Sequence, residues 1–236
     1  MADRNTRLLL SASINLAMAA AAAGGLGFVL IHALSLSGAA PIKAIGLLLI
    51  LAILAGPALG EHGRQRLGPA NAVTLARGVL VGVITAFIGE DAAPWLWLIA
   101  LLAALALAMD GLDGFVARRL SWESDFGARL DMELDALLTL VLSVLVWQTG
   151  RAGVWVLLSG LMRYIFVAVA VFAPWLSAPL PPRYRRKVVC VLQIGSLVLC
   201  LIPWLTPPLT TTIAAIGLLT LTGSFAVDIR LLWRQR

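Results

Sequence analysis

Runs of Leu, Ala, Val and Ile long enough to cross a bilayer recur along the whole chain and constrain its fold more than any other feature. A helix crossing the hydrocarbon core needs roughly 20 mainly apolar residues, since each residue advances about 1.5 Å along the axis. About eight such spans are expected, near 8–35, 42–59, 72–89, 94–117, 128–148, 153–174, 186–203 and 208–232. Turn signals separate them: "LSLSGAAP", "GEDAAP", "TGRAG", "SAPLPPRYRR" and "PWLTPP", with Pro and Gly where helices stop or restart. With 61% hydrophobic and 13% charged residues, the chain has far too much apolar surface for a soluble domain. The expected class is an all-α, polytopic integral membrane protein. No internal repeat is discernible.

Arg4 and Arg7 precede the first apolar run as in a signal peptide, but the run continues to Leu36, too long for a typical signal core, so a retained helix is expected. Cys190 and Cys200 lie on one expected helix, about 15 Å apart by helical rise, beyond disulfide reach. The net charge of +6 comes from short loops, where topology and anionic headgroups explain it better than nucleic acid does. With the N-terminus inside, Arg64, Arg66, Arg118, Arg119, Arg129, Arg183, Arg185, Arg186 and Lys187 fall on the cytoplasmic side, as do the terminal arginines, while only Lys43 and Arg151 fall outside. Several Trp near span ends, Trp95, Trp147, Trp175 and Trp204, fit an interfacial belt. His32 and His62 have no metal-like partner in sequence and read as structural.

One stretch breaks the apolar pattern. "MDGLDGFVARRLSWESDFGARLDMELDA", residues 109–136, holds Asp110, Asp113, Glu123, Asp125, Asp131, Glu133 and Asp135, over half of the twelve acids in the chain. Residues three, four and seven apart share a helix face, so Asp110, Asp113, Gly114 and Ala117 form one stripe and Gly127, Asp131, Asp135 and Thr139 a second. A tight helical hairpin through "RRLSWESDF" brings the two stripes face to face. Each intramembrane carboxylate costs about 2.5 to 3.5 kcal/mol even on insertion scales, and like charges add repulsion. A divalent cation removes both problems, and all-oxygen ligands favour Mg²⁺, Mn²⁺ or Ca²⁺ over zinc. The small Gly114 and Ala117 leave room beside the helix backbone, and Arg118 is placed to meet a phosphate. Glu133 points off the stripe, and Glu123 and Asp125 sit in the loop, so these three read as solvated or structural. Proton or cation transport is the competing reading of paired intramembrane acids.

Written out, the stretch is D-x2-D-G-x2-A-R-x8-G-x3-D-x3-D, filled by Asp110, Asp113, Gly114, Ala117, Arg118, Gly127, Asp131 and Asp135. This pattern resembles, without a departure, the signature of the CDP-alcohol phosphotransferase (CDP-alcohol phosphatidyltransferase) family. Upstream, "GPANAVTLAR" is similar to the Asn-x-x-Thr-x-x-Arg element that opens the family's core, giving Asn71, Thr74 and Arg77. The resemblance implies a catalytic core of six helices over 61–236, preceded by a two-helix N-terminal extension over 1–60. It further implies transfer of a phosphoalcohol group from a CDP-linked donor to an acceptor hydroxyl, with release of CMP and two ions of Mg²⁺ or Mn²⁺ on the pyrophosphate. Asp110, Asp113 and Asp131 would be metal ligands, and Asp135 a shared ligand or the general base. Gly114, Ala117, Arg118, Asn71, Thr74 and Arg77 would border the nucleotide. A homodimer is compatible with the resemblance.

The expected donor is CDP-diacylglycerol, at the cytoplasmic face of a bacterial inner membrane. The alternatives are CDP-choline or CDP-ethanolamine with diacylglycerol, or, from another class, a cation-coupled transporter. The expected acceptor is a hydrophilic, anionic alcohol, with glycerol 3-phosphate leading. "PLPPRYRRKVVCVLQ" delivers Arg183, Arg185, Arg186 and Lys187 to the mouth of a helix, Arg163 lies within the preceding span, and Arg163 and Lys187 are the expected acceptor contacts.

Overall fold

A computed structural model describes residues 2–61, 66–119, 124–178 and 184–234; the side chains of 2–5, 61, 112–118 and 177 lie outside the description. The described residues form α-helices joined by turns and short 3-10 segments, with no strand among them. In order the helices are α1 (Ala2–Leu34), α2 (Ala40–Ala55), α3 (Pro69–Thr85), α4 (Leu96–Arg119), α5 (Asp125–Gln148), α6 (Leu157–Phe172), α7 (Tyr184–Cys200) and α8 (Leu209–Arg234). The protein is the all-α polytopic membrane protein that its apolar runs predict.

Two features identify the bilayer as its solvent. The exterior carries large apolar side chains, with Phe172 89%, Ile53 73% and Leu219 71% exposed, which water would penalise and lipid does not. Among the described residues, five stretches are long and apolar enough to cross a membrane: Thr6–Leu34, Ala40–Gly60, Ala93–Gly111, Val154–Phe172 and Leu209–Arg234. Fewer helices meet that standard than the eight expected, for a physical reason. α3 and α7 are 17 residues long, about 26 Å by helical rise, and α7 opens on Tyr-Arg-Arg-Lys, while α5 carries acids and an arginine through its first half.

The chain divides into two compact units, Met1–Leu137 and Leu138–Arg236. In the first, α3 packs on α1, α2 and α4. The helix starts where Pro69 supplies a preset φ at a position whose N–H has no helical partner, after an extended Gly68. α2 crosses it so closely that a β-carbon on Gly82 would meet the Ala44 carbonyl oxygen at 2.8 Å. From the first turn of α2, Lys43 Nζ donates to the Ile88 carbonyl and to Glu90 Oε1, each at 2.7 Å, and Glu90 also accepts from the Ser37 hydroxyl. The Lys43 and Ser37 hydrogen bonds hold the Glu90 carboxyl below its usual range.

In the second unit, α5 ends in a paired turn. Gly150, at φ +68°, donates to Trp147 O and Arg151 to Val146 O, which satisfies carbonyls the helix end leaves open. That turn delivers Arg151, whose guanidinium donates to the carbonyls of Pro203 and Leu205 while its own carbonyl accepts from Thr210 Oγ1 at 2.6 Å. Lys43 and Arg151, the two cations assigned to the outer side, thus both serve as staples for loop carbonyls. Cys190 and Cys200 are free thiols, as their spacing requires.

Helix α5 starts three residues before the expected 128, which corrects the placement of Asp125 in a loop. Ser124 Oγ accepts from the Gly127 N–H at 3.1 Å, a helix N-cap, and Asp125 adds negative charge to the first turn, where the helix dipole favours it. Glu133 is buried rather than solvated, paired along the helix with Arg129 at 2.8 Å. His32 packs edge-on against Phe28 with ring centres 4.6 Å apart, a structural role as read. Glu123, His62, Arg64 and Arg183 lie outside the described residues.

Candidate active site

Three helices of the first unit build the site. α4 contributes Asp110, α5 contributes Asp131 and Asp135 four residues apart on one face, and α3 contributes Arg77. Arg77 is fully buried. Its guanidinium donates to Asp110 Oδ1 at 2.9 Å and Asp131 Oδ1 at 2.8 Å, and its second terminal nitrogen donates to Asp135 Oδ1. One oxygen from each of Asp110, Asp131 and Asp135 lies within 4.8 Å of the others.

The electrostatics follow from the count of charges. A buried guanidinium without a partner would be prohibitive, and three crowded carboxylates would repel one another; together each offsets much of the other's cost. One cation against three anions leaves surplus negative charge in this group. The donors are oxygen atoms only, the set that suits a hard divalent ion such as Mg²⁺ or Mn²⁺ and not zinc. The residues present therefore fit a divalent metal. Asp135 and Asp131 are half-buried and Asp110 is buried, so the cluster grades from α4 outward along α5.

Thr74 and Asn71 lie about one and two turns before Arg77 on α3, and both are buried. Thr74 Oγ1 donates to the Ala70 carbonyl at 3.1 Å, within its own helix. Asn71 reaches α5, where its Oδ1 lies 2.8 Å from the point a β-carbon on Gly127 would occupy. The glycine of the motif thus admits a side chain from α3 against the α5 backbone. Asp113, Gly114, Ala117 and Arg118 continue α4 beyond Asp110, and their side chains lie outside the described residues.

The expected acceptor residues belong to the second unit. Arg163 is half-buried in α6, and Lys187 is exposed in the first turn of α7. Two neighbours read from sequence as part of the same basic cluster are engaged inside that unit. Arg185 donates to Asp228 at 2.5 Å and to Ser224 Oγ at 2.6 Å, and Arg186 lies 3.8 Å from the other Asp228 oxygen. Sequence reasoning missed Asp228, although an acid inside an apolar span is itself a signal that a partner is needed. It also missed the pairing of Arg77 with the carboxylates, which the same argument from cost points toward.

A family model, CDP-alcohol phosphatidyltransferase, matches residues 68–223, roughly two thirds of the chain. The matched segment opens at the start of α3 and contains every residue of the carboxylate cluster, while α1 and α2 precede it. Neither curated proteins nor solved structures gave a match.

Proposed function

The chain belongs to the CDP-alcohol phosphatidyltransferase family, and from that premise we propose that it transfers a phosphatidyl group from CDP-diacylglycerol to glycerol 3-phosphate, releasing CMP. Members of this family are transferases that pass a phosphatidyl group from a CDP-alcohol to an alcohol in a membrane setting, with a metal requirement. The observation that supports the site assignment is the oxygen-only cluster of Asp110, Asp131 and Asp135, assembled from two helices in the register of the family signature.

In this reading Asp110, Asp113 and Asp131 hold two divalent ions, Mg²⁺ or Mn²⁺, and Asp135 shares an ion or serves as general base. When bound, the metal neutralises the pyrophosphate and stabilises the CMP leaving group. The acceptor hydroxyl oxygen bonds to the phosphorus bearing diacylglycerol, the bond from that phosphorus to the CMP oxygen breaks, and the hydroxyl proton passes to the Asp135 carboxylate. Gly114, Ala117 and Arg118 border the nucleotide, and Asn71, Thr74 and Arg77 brace that border from α3. Arg163 and Lys187 hold the phosphate of the acceptor. Residues 61–236 form the catalytic core, 1–60 an added helix pair, and the site faces the cytoplasm of a bacterial inner membrane, as the Lys and Arg asymmetry favours.

The test is an assay panel on the purified protein in phospholipid nanodiscs. CMP release from CDP-diacylglycerol, requiring glycerol 3-phosphate and added Mg²⁺ or Mn²⁺, is expected. Turnover with CDP-choline or CDP-ethanolamine and diacylglycerol, and none with CDP-diacylglycerol, would overturn the donor assignment. Efficient turnover with serine or free inositol and none with a phosphorylated polyol would overturn the acceptor assignment.

A further inference from the structure

Behind the carboxylate cluster, within the first unit, lies an apolar pocket of about 200 Å³ that the reaction does not use. Its floor is formed by Leu48 and Leu51 of α2, Leu75 of α3, and Phe126 and Leu130 of α5, all buried. Leu75 lies two residues before Arg77, on the opposite side of α3, and Leu130 is adjacent to Asp131 but turned about 100° from it around α5. The pocket is thus separated from the site by the thickness of those helices. Its outer wall comes from α1 and the end of α2, which precede the family segment.

We propose that this pocket holds one acyl chain of a bilayer phospholipid. Three observations select that occupant. First, the pocket is lined almost wholly by apolar side chains. The Ser13 hydroxyl already donates to the Leu9 carbonyl at 2.8 Å, and so apolar a lining favours an apolar guest over water. Second, its mouth lies at Leu9, 56% exposed, and at the exposed Ser13 and Gly56. These positions belong to Thr6–Leu34 and Ala40–Gly60, stretches long and apolar enough to lie in the bilayer, so the pocket is continuous with a lipid-facing surface. Third, the medium against that surface consists of flexible alkyl chains, and a chain that enters gains packing against α2, α3 and α5 without losing a hydrogen bond. An occupied pocket keeps α3 and α5 from collapsing toward α1, so the added helices support the site from behind.

The proposal does not depend on the catalytic reading, and its test uses no CDP-linked compound in the first arm. The full chain is placed in phosphatidylethanolamine and phosphatidylglycerol nanodiscs containing a phosphatidylcholine with a diazirine on one acyl chain. After irradiation, adducts are mapped by mass spectrometry. Adducts on Leu51, Leu75 or Leu130, which lipid on the outer surface cannot touch, are expected. Their absence in the native chain, with adducts confined to exposed residues such as Leu9, overturns the proposal. Ala52→Phe fills the pocket from α2 and Ala12→Phe from α1. In whichever filler keeps a native-like unfolding transition, loss of the buried adducts with those on exposed Leu219 retained is expected, and unchanged buried adducts overturn the proposal. In a final arm, saturating CDP-diacylglycerol should leave the buried adducts unchanged; their displacement would assign the pocket to the donor and overturn a resident phospholipid.

Discussion

Asn71 Oδ1 sits 2.8 Å from where a β-carbon on Gly127 would be, so α3 and α5 meet through a side chain laid against bare backbone. A methyl group there would push Asn71 or shift the start of α5, four residues before Asp131. Gly127→Ala should therefore fold but lower kcat about 10- to 100-fold, since misplacement by about 1 Å costs that much in an oriented site. Steady-state CMP release beside an unfolding curve checks it. Wild-type turnover would show that the contact does not position the carboxylates.

Asp110→Asn, Asp131→Asn and Asp135→Asn preserve shape while removing charge from an oxygen-only cluster. Each should cut metal-dependent CMP release at least about 100-fold, the loss associated with removing a group that acts only in the transition state. Folding should persist, because an amide oxygen still accepts from Arg77. Near-normal turnover in any two would defeat the metal-site assignment.

Arg77→Gln leaves the carboxylates without their buried counter-charge. Breaking such a pair by removing one partner costs about 3–5 kcal/mol. The loss should be large in EDTA and smaller in millimolar Mg²⁺, because an added cation replaces part of the missing charge. Thermal unfolding in the two buffers measures it, and an equal loss in both would separate Arg77 from the metal site.

Lys187 is exposed, whereas Arg185 is committed to Ser224 and Asp228. Lys187→Gln should raise the KM for glycerol 3-phosphate about tenfold, the worth of roughly 1.4 kcal/mol of phosphate binding, with little change for CDP-diacylglycerol. Arg185→Gln should instead lower stability by about 1–3 kcal/mol, because it leaves Asp228 with a lost partner. The opposite pattern would exchange their roles.

Glu90 gives a pH dependence whose sign is settled by its partners. Lys43 and Ser37 lower its pKa in the folded state, so the unfolded chain binds the proton more readily. The contribution is complete above the ordinary value of 4.5 and is lost as pH falls through the lower folded value. Glu90→Gln should therefore cost about 1 kcal/mol at neutral pH, and the difference from wild type should vanish under strong acid. Unfolding midpoints of the two proteins across pH 3–7 (about the span over which a carboxylate in this setting titrates) test it.

The class of fold and the line of the carboxylates are determined by sequence alone, because both are local. An apolar run of bilayer length has few folded outcomes, and Asp131 and Asp135 share a face by helical geometry wherever α5 packs. The start of α5 at Ser124 is equally local, a cap legible in Ser-Asp-Phe-Gly. Only tertiary structure decides the partners of Arg77, because Asp110 lies 33 residues away and Asp131 lies 54 away, and their meeting depends on how α3, α4 and α5 are packed. The same holds for Asp228, which converts two arginines of a basic cluster into a brace. A loop of cations reads identically whether it faces a substrate, a headgroup or an acid on a distant helix; charge is written in the sequence, and the distance at which it acts is set by the fold.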